Sequence, residues 1–400
     1  MRLLRSLFLL ALVAAAGCTA VPIGVPPEVA DRLPAPVPAE QVAAGADRFP
    51  IAVRGRWGYI DRAGEVVIEP QFDGAYAFAE GLARVEIDGR YGYIDPAGAV
   101  VLSPVYRQAF DFAEGRARVV LPTAGAELGS DAATAEARLL EAFIATDGTV
   151  IVPATLSRAR DFGRSGDSTL APVVRMRTRS YVPLGLSALA FLGVTLQDEG
   201  GWEVVGAGGD MAFRVENALN VLGLVDGRLP FAQNVGTWPF RARRWGYLDT
   251  EGRVAIAPQF RWASGFSEGR AAVVLDDRYG YIDTTGALVI PPQFGRAGAF
   301  SEARAPVRRA GQWGFVDRDG RVIVPAQYDF ASEFSDGRAL VQRGGQFGFV
   351  DADGAEVIPL RYDYARSFRD GLAFVRDGDR EGYIDPDGAF VWSQPATPPR

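Results

Sequence analysis

The side chains that most often carry chemistry in proteins are scarce in this sequence. None of its 400 residues is histidine, and Cys18 is the only cysteine. These counts exclude a Ser–His–Asp triad, a Cys–His pair, any histidine metal ligand and any disulfide within the chain. Catalysis would depend on Asp, Glu, Tyr, Ser or Arg, and no local motif singles out one carboxylate pair, such as Glu268 with Asp276, among 49 acids. We therefore predict no catalytic residues, no metal and no cofactor, and we rank a carboxylate-based hydrolase third among the possible functions.

The charge and composition of the chain favour a packed protein that does not bind nucleic acid. All 42 basic residues are arginines, the formal net charge is −7, and no basic face is evident. Hydrophobic residues make up 48% of the chain, which is enough for a folded core. The 47 glycines and 26 prolines indicate many turns.

The first residues have the layout of an export signal. Arg2 and Arg5 precede an apolar run, residues 7–16, which is too short to span a bilayer as a permanent helix. The run leads into Ala15-Ala16-Gly17-Cys18, which resembles the lipobox of bacterial lipoproteins, except that alanine replaces the usual leucine. The resemblance implies cleavage before Cys18, lipid attachment to that cysteine and contact with a membrane through the lipid. Thr19, which is not Asp, implies the outer membrane, with the protein facing the periplasm. An ordinary secretory signal with an incidental cysteine is the alternative.

Most of the chain beyond residue 50 is built from copies of one segment. Seven copies have the form of the sequences that begin at residues 57 (WGYIDRAG), 91, 245, 279, 313, 347 and 381. The turn glycines from Gly252 to Gly388 are spaced 34 residues apart, and a second landmark, of the form F-S-E-G, follows the same period. These residues resemble the WG repeat family, also called WG-containing or KWG repeats. The resemblance covers most of residues 50–393 and implies nine units, but no shared activity.

Each unit alternates in the way that β-strands do. In the second unit, residues 82–87 alternate with period two, Asp88-Gly89 supplies a hairpin turn, and residues 91–95 form the next strand. A turn closing at Gly98, a short third strand and Pro104 complete the unit. We predict an all-β fold, a tandem array of three-stranded antiparallel meanders. Because propeller blades use four strands and we count three, an open curved stack is favoured over a closed propeller-like ring.

The predicted organisation has six parts. They are a signal peptide (1–17), a Pro/Ala-rich tether (18–49), repeats one and two (50–115), degenerate repeats with insertions (116–244), repeats five to nine (245–393) and a tail (394–400). Three consecutive units exceed the 34-residue period by 17, 27 and 8 residues, and all three lie between Gly115 and Gly269.

The degenerate part is where we expect binding. Loops carried on a rigid scaffold are favoured binding sites, and aromatic and arginine side chains are frequent interface anchors. We therefore predict binding residues at Arg175, Arg177, Arg179, Trp202 and Trp238. The alternative is that these units have decayed and that their loops have no role.

The aromatic residues that open the repeats allow two interpretations. Strict periodicity favours a core seam, and aromatic planes also suit sugars. Acid pairs such as Asp351 and Asp353 allow a calcium loop or an Asx-capped turn, and we favour the turn. The predicted function is an envelope-anchored lipoprotein that binds or scaffolds a protein or another ligand. The runner-up is a module that binds an envelope glycan.

Overall fold

The described part of the protein is a closed ring of β-strands. The computed structural model describes residues 47–121, 140–159, 163–165, 168–175, 202–208, 210–237 and 240–396. These residues contain 35 strands and no helix, and the strands form nine blades arranged in a ring, a β-propeller. The all-β prediction is confirmed. The predicted open stack is wrong, because the last blade packs against the first.

The first half of the ring contains the irregular blades. The first blade has three described strands, β1 (Phe49–Val53), β2 (Arg56–Ile60) and β3 (Val66–Phe72). The second has β4 (Gly74–Ala79), β5 (Leu82–Ile87), β6 (Arg90–Ile94) and β7 (Val100–Tyr106). The third and fourth share one eight-stranded sheet made of β8 (Gln108–Ala109), β9 (Arg116–Leu121), β10 (Leu140–Ala145), β11 (Val150–Ala159), β12 (Gly163–Ser165), β13 (Ser168–Arg175), β14 (Trp202–Gly206) and β15 (Met211–Val215).

The second half consists of five four-stranded blades. The fifth and sixth contain β16 (Ala218–Val221), β17 (Leu229–Val235), β18 (Ala242–Leu248), β19 (Val254–Phe260), β20 (Trp262–Ala263), β21 (Arg270–Leu275), β22 (Arg278–Asp283) and β23 (Leu288–Phe294). The seventh and eighth contain β24 (Arg296–Ala297), β25 (Arg304–Arg309), β26 (Gln312–Asp317), β27 (Val322–Tyr328), β28 (Phe330–Ser335), β29 (Arg338–Arg343), β30 (Gln346–Val350) and β31 (Glu356–Tyr362). The ninth contains β32 (Tyr364–Ala365), β33 (Ala373–Asp377), β34 (Arg380–Ile384) and β35 (Phe390–Pro395).

The strand that raises each regular blade from the predicted three strands to four is the short first strand. In the sixth blade β20 pairs with β21 over only two residues, Trp262 with Val274 and Ala263 with Val273. A two-residue strand shows no alternation, so the periodic pattern could not reveal it. We call this first strand of each blade the inner strand, and the F-x-E/D-G turn that follows it the inner turn.

The WG glycine is required by the backbone of its own blade. The fourth strand bulges beside it, so that Tyr281 pairs with Ile290 while Tyr279 pairs with Phe294. A Cβ atom on Gly280 would lie 2.6 Å from the carbonyl oxygen of Ile290. The glycine therefore makes room for the backbone of the neighbouring strand. Proline at this bulge does not end the pairing, because the strand continues to Phe294.

The cores between blades are built on the third residue of the WGY segment. Tyr59, Tyr281, Phe315 and Phe349 are fully buried, and each packs against the phenylalanine of the next inner turn with ring centroids 4.8–5.2 Å apart. The leading aromatic residue, such as Trp313, is only half-buried in every copy except that of Trp245, which is buried. The core between blades is therefore centred on the residue two positions after the leading aromatic residue, which the periodicity had indicated.

The inner turns bind each blade to the next. Their acidic residue has a positive φ in seven blades, namely Glu80, Glu114, Asp226, Glu268, Glu302, Asp336 and Asp370. In the regular steps its carboxylate accepts a hydrogen bond from an amide of the following inner turn, as Asp336 does from Gly371 (2.8 Å). This bond helps to hold an otherwise disfavoured backbone conformation.

The DxxG turns have an Asx-type cap. Asp351 Oδ1 accepts bonds from the amides of Asp353 (3.0 Å) and Ala355 (2.9 Å), which is the bonding we predicted in place of a calcium loop. No cluster of acidic or cysteine side chains in the described residues is arranged to hold a metal ion.

Ring closure repeats the contacts of the regular blades. A DxxG glycine packs on the fourth strand of the preceding blade, as Gly320 does on Ile290. Gly64 of the first blade packs in the same manner on Val391 of the last blade, and the ring of Phe49 lies 5.5 Å from that of Tyr383. The first and last blades share one core cluster. The two ends of the array are therefore neighbours.

Candidate binding site at the ring joint

Only two of the five predicted binding residues, Arg175 and Trp202, lie among the described residues. Arg177, Arg179 and Trp238, like Cys18, lie outside the described residues, and Arg175 is the last residue of β13. Trp202 is 4% exposed and packs in the core between the fourth and fifth blades. Its indole is therefore a core element and is not presented to a partner.

The joint between the ninth and first blades differs from the regular steps of the ring. Strand β1 pairs with β2, and no described strand pairs with the other edge of β1, where a regular blade has its inner strand. A cavity of about 490 Å³ opens there. Its lining comes from the first, second and ninth blades. We call it the joint cavity.

The walls of the joint cavity combine rings, charges and small residues. Trp57, Tyr76, Phe374 and Tyr383 contribute aromatic rings. The charged lining residues are Arg48, Asp73, Glu86, Arg366, Arg369 and Asp370. Gly74, Ala75 and Ala77 leave the space between them open. Such a mixture of apolar surface and a few polar groups is typical of ligand sites.

A tyrosine hydroxyl occupies the place of one missing backbone donor. In the sixth blade the inner strand donates from Ser264 N to Ala272 O (2.9 Å). The strand register places Pro50 at the position of Ala272. The carbonyl of Pro50 accepts instead from Tyr383 Oη at 2.9 Å, across the joint. This edge of β1 is thus capped by a side chain.

A glutamine amide occupies the place of a second donor. The sixth blade has a bond from Arg261 N to Val274 O, and the register places Ala52 at the position of Val274. Ala52 O accepts from Gln394 Nε2 (2.6 Å), which also donates to Glu381 Oε1 (3.1 Å). The last blade therefore reaches into the first with two side-chain donors.

Glu381 is part of this closure. It occupies the position of the leading aromatic residue in the last copy of the repeat. The side chain is 5% exposed, forms an ion pair with Arg376 at 3.0 Å and orients Gln394. A buried carboxylate needs such a partner, because desolvation of an unpaired charge is costly.

An arginine of the ninth blade reaches past the first blade, for which the described residues contain no inner turn. In regular blades a serine in the inner turn donates to the next blade, as Ser301 does to Phe334 O (2.7 Å). Arg369 is at this position in the ninth blade, and its Nη2 donates to Phe78 O of the second blade (3.0 Å). The longer side chain spans the first blade. Asp370 lines the joint cavity, and among the described residues no inner-turn amide is placed to bond it as Gly371 bonds Asp336.

Trp57 has no described inner-strand ring packed on it, whereas three of its counterparts do. In the second, sixth and eighth blades an aromatic residue of the inner strand packs on the WG aromatic, as Trp262 does on Tyr279 with centroids 5.6 Å apart. No described inner strand is present to do this for Trp57, which lines the joint cavity.

Two tyrosines of the cavity region are held in the neutral form. A hydrogen bond with Tyr76, followed by burial, raises the pKa of Tyr91 to about 12. Burial raises the pKa of Tyr383 far above its ordinary value, against the opposing effect of Arg366. The Tyr383 hydroxyl is therefore a constant donor at neutral pH.

The sequence contained a signal for this site that the spacing analysis did not use. The second landmark first occurs at Phe78, so the unit that begins at Trp57 has no F-x-E-G step before it. A missing landmark in a periodic array indicates an incomplete blade. The insertions in residues 116–244 instead led us to predict binding in that part of the ring.

The fold and the joint define a β-propeller with a cavity at its closure. The profile of the WG-containing repeat matches at residues 57–91, 91–121, 245–279, 279–312, 313–346 and 347–380, so the chain belongs to that family, as its residues predicted. A search of curated proteins gives no match.

Solved structures resemble the chain in fold. One titled as the eukaryotic initiation factor has 12% identity and a TM-score of 0.57, over 88% of this chain and 96% of that one. Two extracellular domains of putative hybrid two-component systems from B. thetaiotaomicron have TM-scores of 0.27 and 0.31, with 11% and 9% identity. These matches cover 84% and 88% of this chain and 54% and 59% of theirs.

Proposed function

We propose that this protein is a non-enzymatic binding and scaffolding protein of the cell envelope, and that the joint cavity is its binding site. The observation that carries the proposal is that one joint of an otherwise repetitive ring holds a cavity lined by aromatic and charged side chains, beside an edge of β1 with which no described strand pairs. Repetition elsewhere makes the blades a rigid support, on which a single irregular site is well positioned.

Export and anchoring are part of the proposal. The support is the sequence Ala15-Ala16-Gly17-Cys18, which lies outside the described residues. Several acyl chains at about 0.8 kcal/mol per buried CH₂ would hold the protein stably at a membrane. Among the described residues, no helix is both long and apolar enough to cross a bilayer. We expect Cys18→Ser to move the protein from the membrane fraction to the soluble fraction. An unmodified Cys18 in the N-terminal peptide by mass spectrometry would refute the anchor.

The binding role is tested by filling the joint cavity. Ala77 lines it, and the register of the repeats makes Ala299 the equivalent residue of the seventh blade. The wild type, Ala77→Trp and Ala299→Trp should each be used to capture proteins from an envelope extract, and the captured sets compared. Unfolding curves for each variant establish that it folds. We expect at least one protein to be captured by the wild type and by Ala299→Trp and lost with Ala77→Trp. Identical captured sets for all three would refute the site.

Glycan recognition is the second candidate, and one feature of the joint favours it. An aromatic side chain without its usual ring partner, as Trp57 is, suits the face of a sugar, and carboxylates such as that of Asp370 accept hydrogen bonds from hydroxyl groups. A screen of envelope polysaccharides against the same three proteins separates the two candidates. Polysaccharide binding that Ala77→Trp abolishes would favour the glycan.

The degenerate part of the ring stays a prediction as a second contact surface. Its test is the replacement of Arg175, Arg177 and Arg179 by serine, with capture and thermal unfolding as readouts. Unchanged capture would remove these residues from the proposal.

A further inference from the structure

We propose that the joint cavity takes up an extended peptide segment of another protein, which completes the first blade as its inner strand. This inference rests on the proposed function and names the chemistry of its ligand. The segment would carry the pattern of the chain's own inner strands and inner turns, Ala-x-x-Phe-x-Glu/Asp-Gly.

The pattern is defined by the regular blades. Alanine stands three residues before the inner-turn phenylalanine at Ala75, Ala109, Ala263, Ala297, Ala331 and Ala365. The phenylalanine enters the core and packs on the WGY ring of the preceding blade, as Phe300 does on Tyr281 at 4.9 Å. In the second, sixth and eighth blades an aromatic residue of the inner strand covers the WG aromatic.

Three features of the joint match what such a segment supplies. Trp57 lies in the cavity without an inner-strand ring from its own blade. The Asp370 carboxylate occupies the position from which Asp336 accepts the amide of Gly371. Tyr383 donates to Pro50 O, whereas its counterpart Tyr281 donates to the next inner strand at Gly298 O. Each feature is a contact that an inner strand makes elsewhere in the ring.

The backbone edge of β1 is also prepared for a strand. Its carbonyls at Pro50 and Ala52 are held by Tyr383 and Gln394, at the positions where backbone donors of an inner strand bind in other blades. Each carbonyl oxygen has two lone pairs, so an incoming N–H can join or replace the side-chain donor. Addition of a strand to an exposed sheet edge is a common way to recognise extended peptides.

The composition of the chain favours a segment from another protein. Residues 9–48 contain no Phe, Tyr or Trp, and neither do residues 397–400. Those parts of the chain therefore cannot supply an inner-strand ring for Trp57, whereas a partner segment with aromatic residues can. Beside Tyr383, the phenylalanine of such a segment would join Phe49, whose ring already lies 5.5 Å from that of Tyr383.

The probe for the test is a labelled peptide that copies residues 260–270, FRWASGFSEGR, measured by fluorescence anisotropy against the chain from Cys18 carrying Cys18→Ser. The control peptide replaces Trp262 and Phe266 of the copy by alanine. We expect saturable binding of one peptide per chain, and roughly tenfold weaker binding of the control, since buried aromatic anchors dominate such interfaces.

Matched variants place the peptide at the joint. Asp370→Asn should weaken binding about fivefold, because its carboxylate would lose a charge-assisted bond to the peptide's turn amide. Asp336→Asn, the equivalent change in a closed step of the ring, should leave the affinity within about twofold. Unfolding curves for both variants confirm that each one folds.

The outcomes are distinct. No saturable binding below about 1 mM, equal binding of the two peptides or no effect of Asp370→Asn would overturn the peptide proposal. In a further variant, residues 40–46 are replaced by Gly and Ser. Peptide binding to this variant alone would also overturn the peptide proposal, because residues 40–46 of the wild type would then be completing the first blade. Binding of an envelope polysaccharide without the peptide would overturn the peptide proposal and leave the binding function intact. Identical captured sets for the wild type, Ala77→Trp and Ala299→Trp would instead overturn the binding function itself.

Discussion

Closure of the ring can be tested with a single hydroxyl group. Tyr383 Oη donates at 2.9 Å to Pro50 O, which is 333 residues away in sequence. The equivalent Tyr281 Oη donates at 2.8 Å to Gly298 O, only 17 residues away. Both tyrosine side chains are buried, with residual exposures of 6% and 0%. The two bonds differ mainly in whether they join sequential blades or the ends of the array.

We expect Tyr383→Phe and Tyr281→Phe to destabilise the protein by similar amounts. Removal of a donor from a largely buried carbonyl costs about 1–2 kcal/mol, and phenylalanine preserves the packing of the ring. Asn or Ala would add a cavity to the measured effect, so phenylalanine is the informative change. In an open array Tyr383 would have no partner at residue 50, and its hydroxyl would contribute almost nothing.

The assay is equilibrium unfolding in urea, followed by tryptophan fluorescence, with m-values compared to establish that both variants unfold in the same way. A loss of about 1 kcal/mol or more in both variants supports closure. If Tyr281→Phe shows that loss and Tyr383→Phe costs less than about 0.3 kcal/mol, the joint is open in solution and our account of the cavity fails.

Three further predictions follow from the contacts within the ring. Phe315→Ala should cost about 3–5 kcal/mol and Trp313→Ala clearly less, because the first side chain is fully buried and the second half-buried; equal losses in urea would contradict the assignment of the core. Gly348→Ala should cost roughly 2–3 kcal/mol, because its Cβ would meet a backbone oxygen at 2.6 Å; a thermal midpoint unchanged by this variant would argue against the bulge. Burial raises the pKa of Glu268, but bonds from Arg318 and Ala303 outweigh it and hold the pKa below its ordinary value. Its stabilising effect should therefore be present above about pH 4.3 and lost at lower pH, so Glu268→Gln and the wild type should converge in stability during an acid titration, and a gap that persists at low pH would show another cause.

Sequence periodicity predicted the regular parts of the blades because each part carries its own local signal. Alternation, the Asp-Gly hairpin and the DxxG turn all act within a few residues, and the structure contains each of them, including the cap that Asp351 forms. Even in the part predicted to hold degenerate repeats, residues 140–145 form the strand β10.

The closed ring could not be read from the same signals. The inner strand is only two residues long in several blades, and its partner is fixed by the inner turn rather than by alternation. Closure depends on contacts between residues more than 300 positions apart, such as Gln394 with Ala52. No local pattern encodes such a pair, so the count of three strands led to an open stack.

The position of the cavity ties ligand binding to the integrity of the ring. The side chains that hold the last blade to the first, Tyr383 and Gln394, are also those that cap the edge on which a peptide would add. A segment bound there would contact both ends of the array and would be released when the joint opens. Mass action then requires that binding stabilise the closed ring, by about 2.7 kcal/mol at a ligand concentration one hundred times the Kd. Because the same segment has no such site in the unfolded chain, a peptide that binds without raising the unfolding midpoint would have to sit elsewhere on the ring.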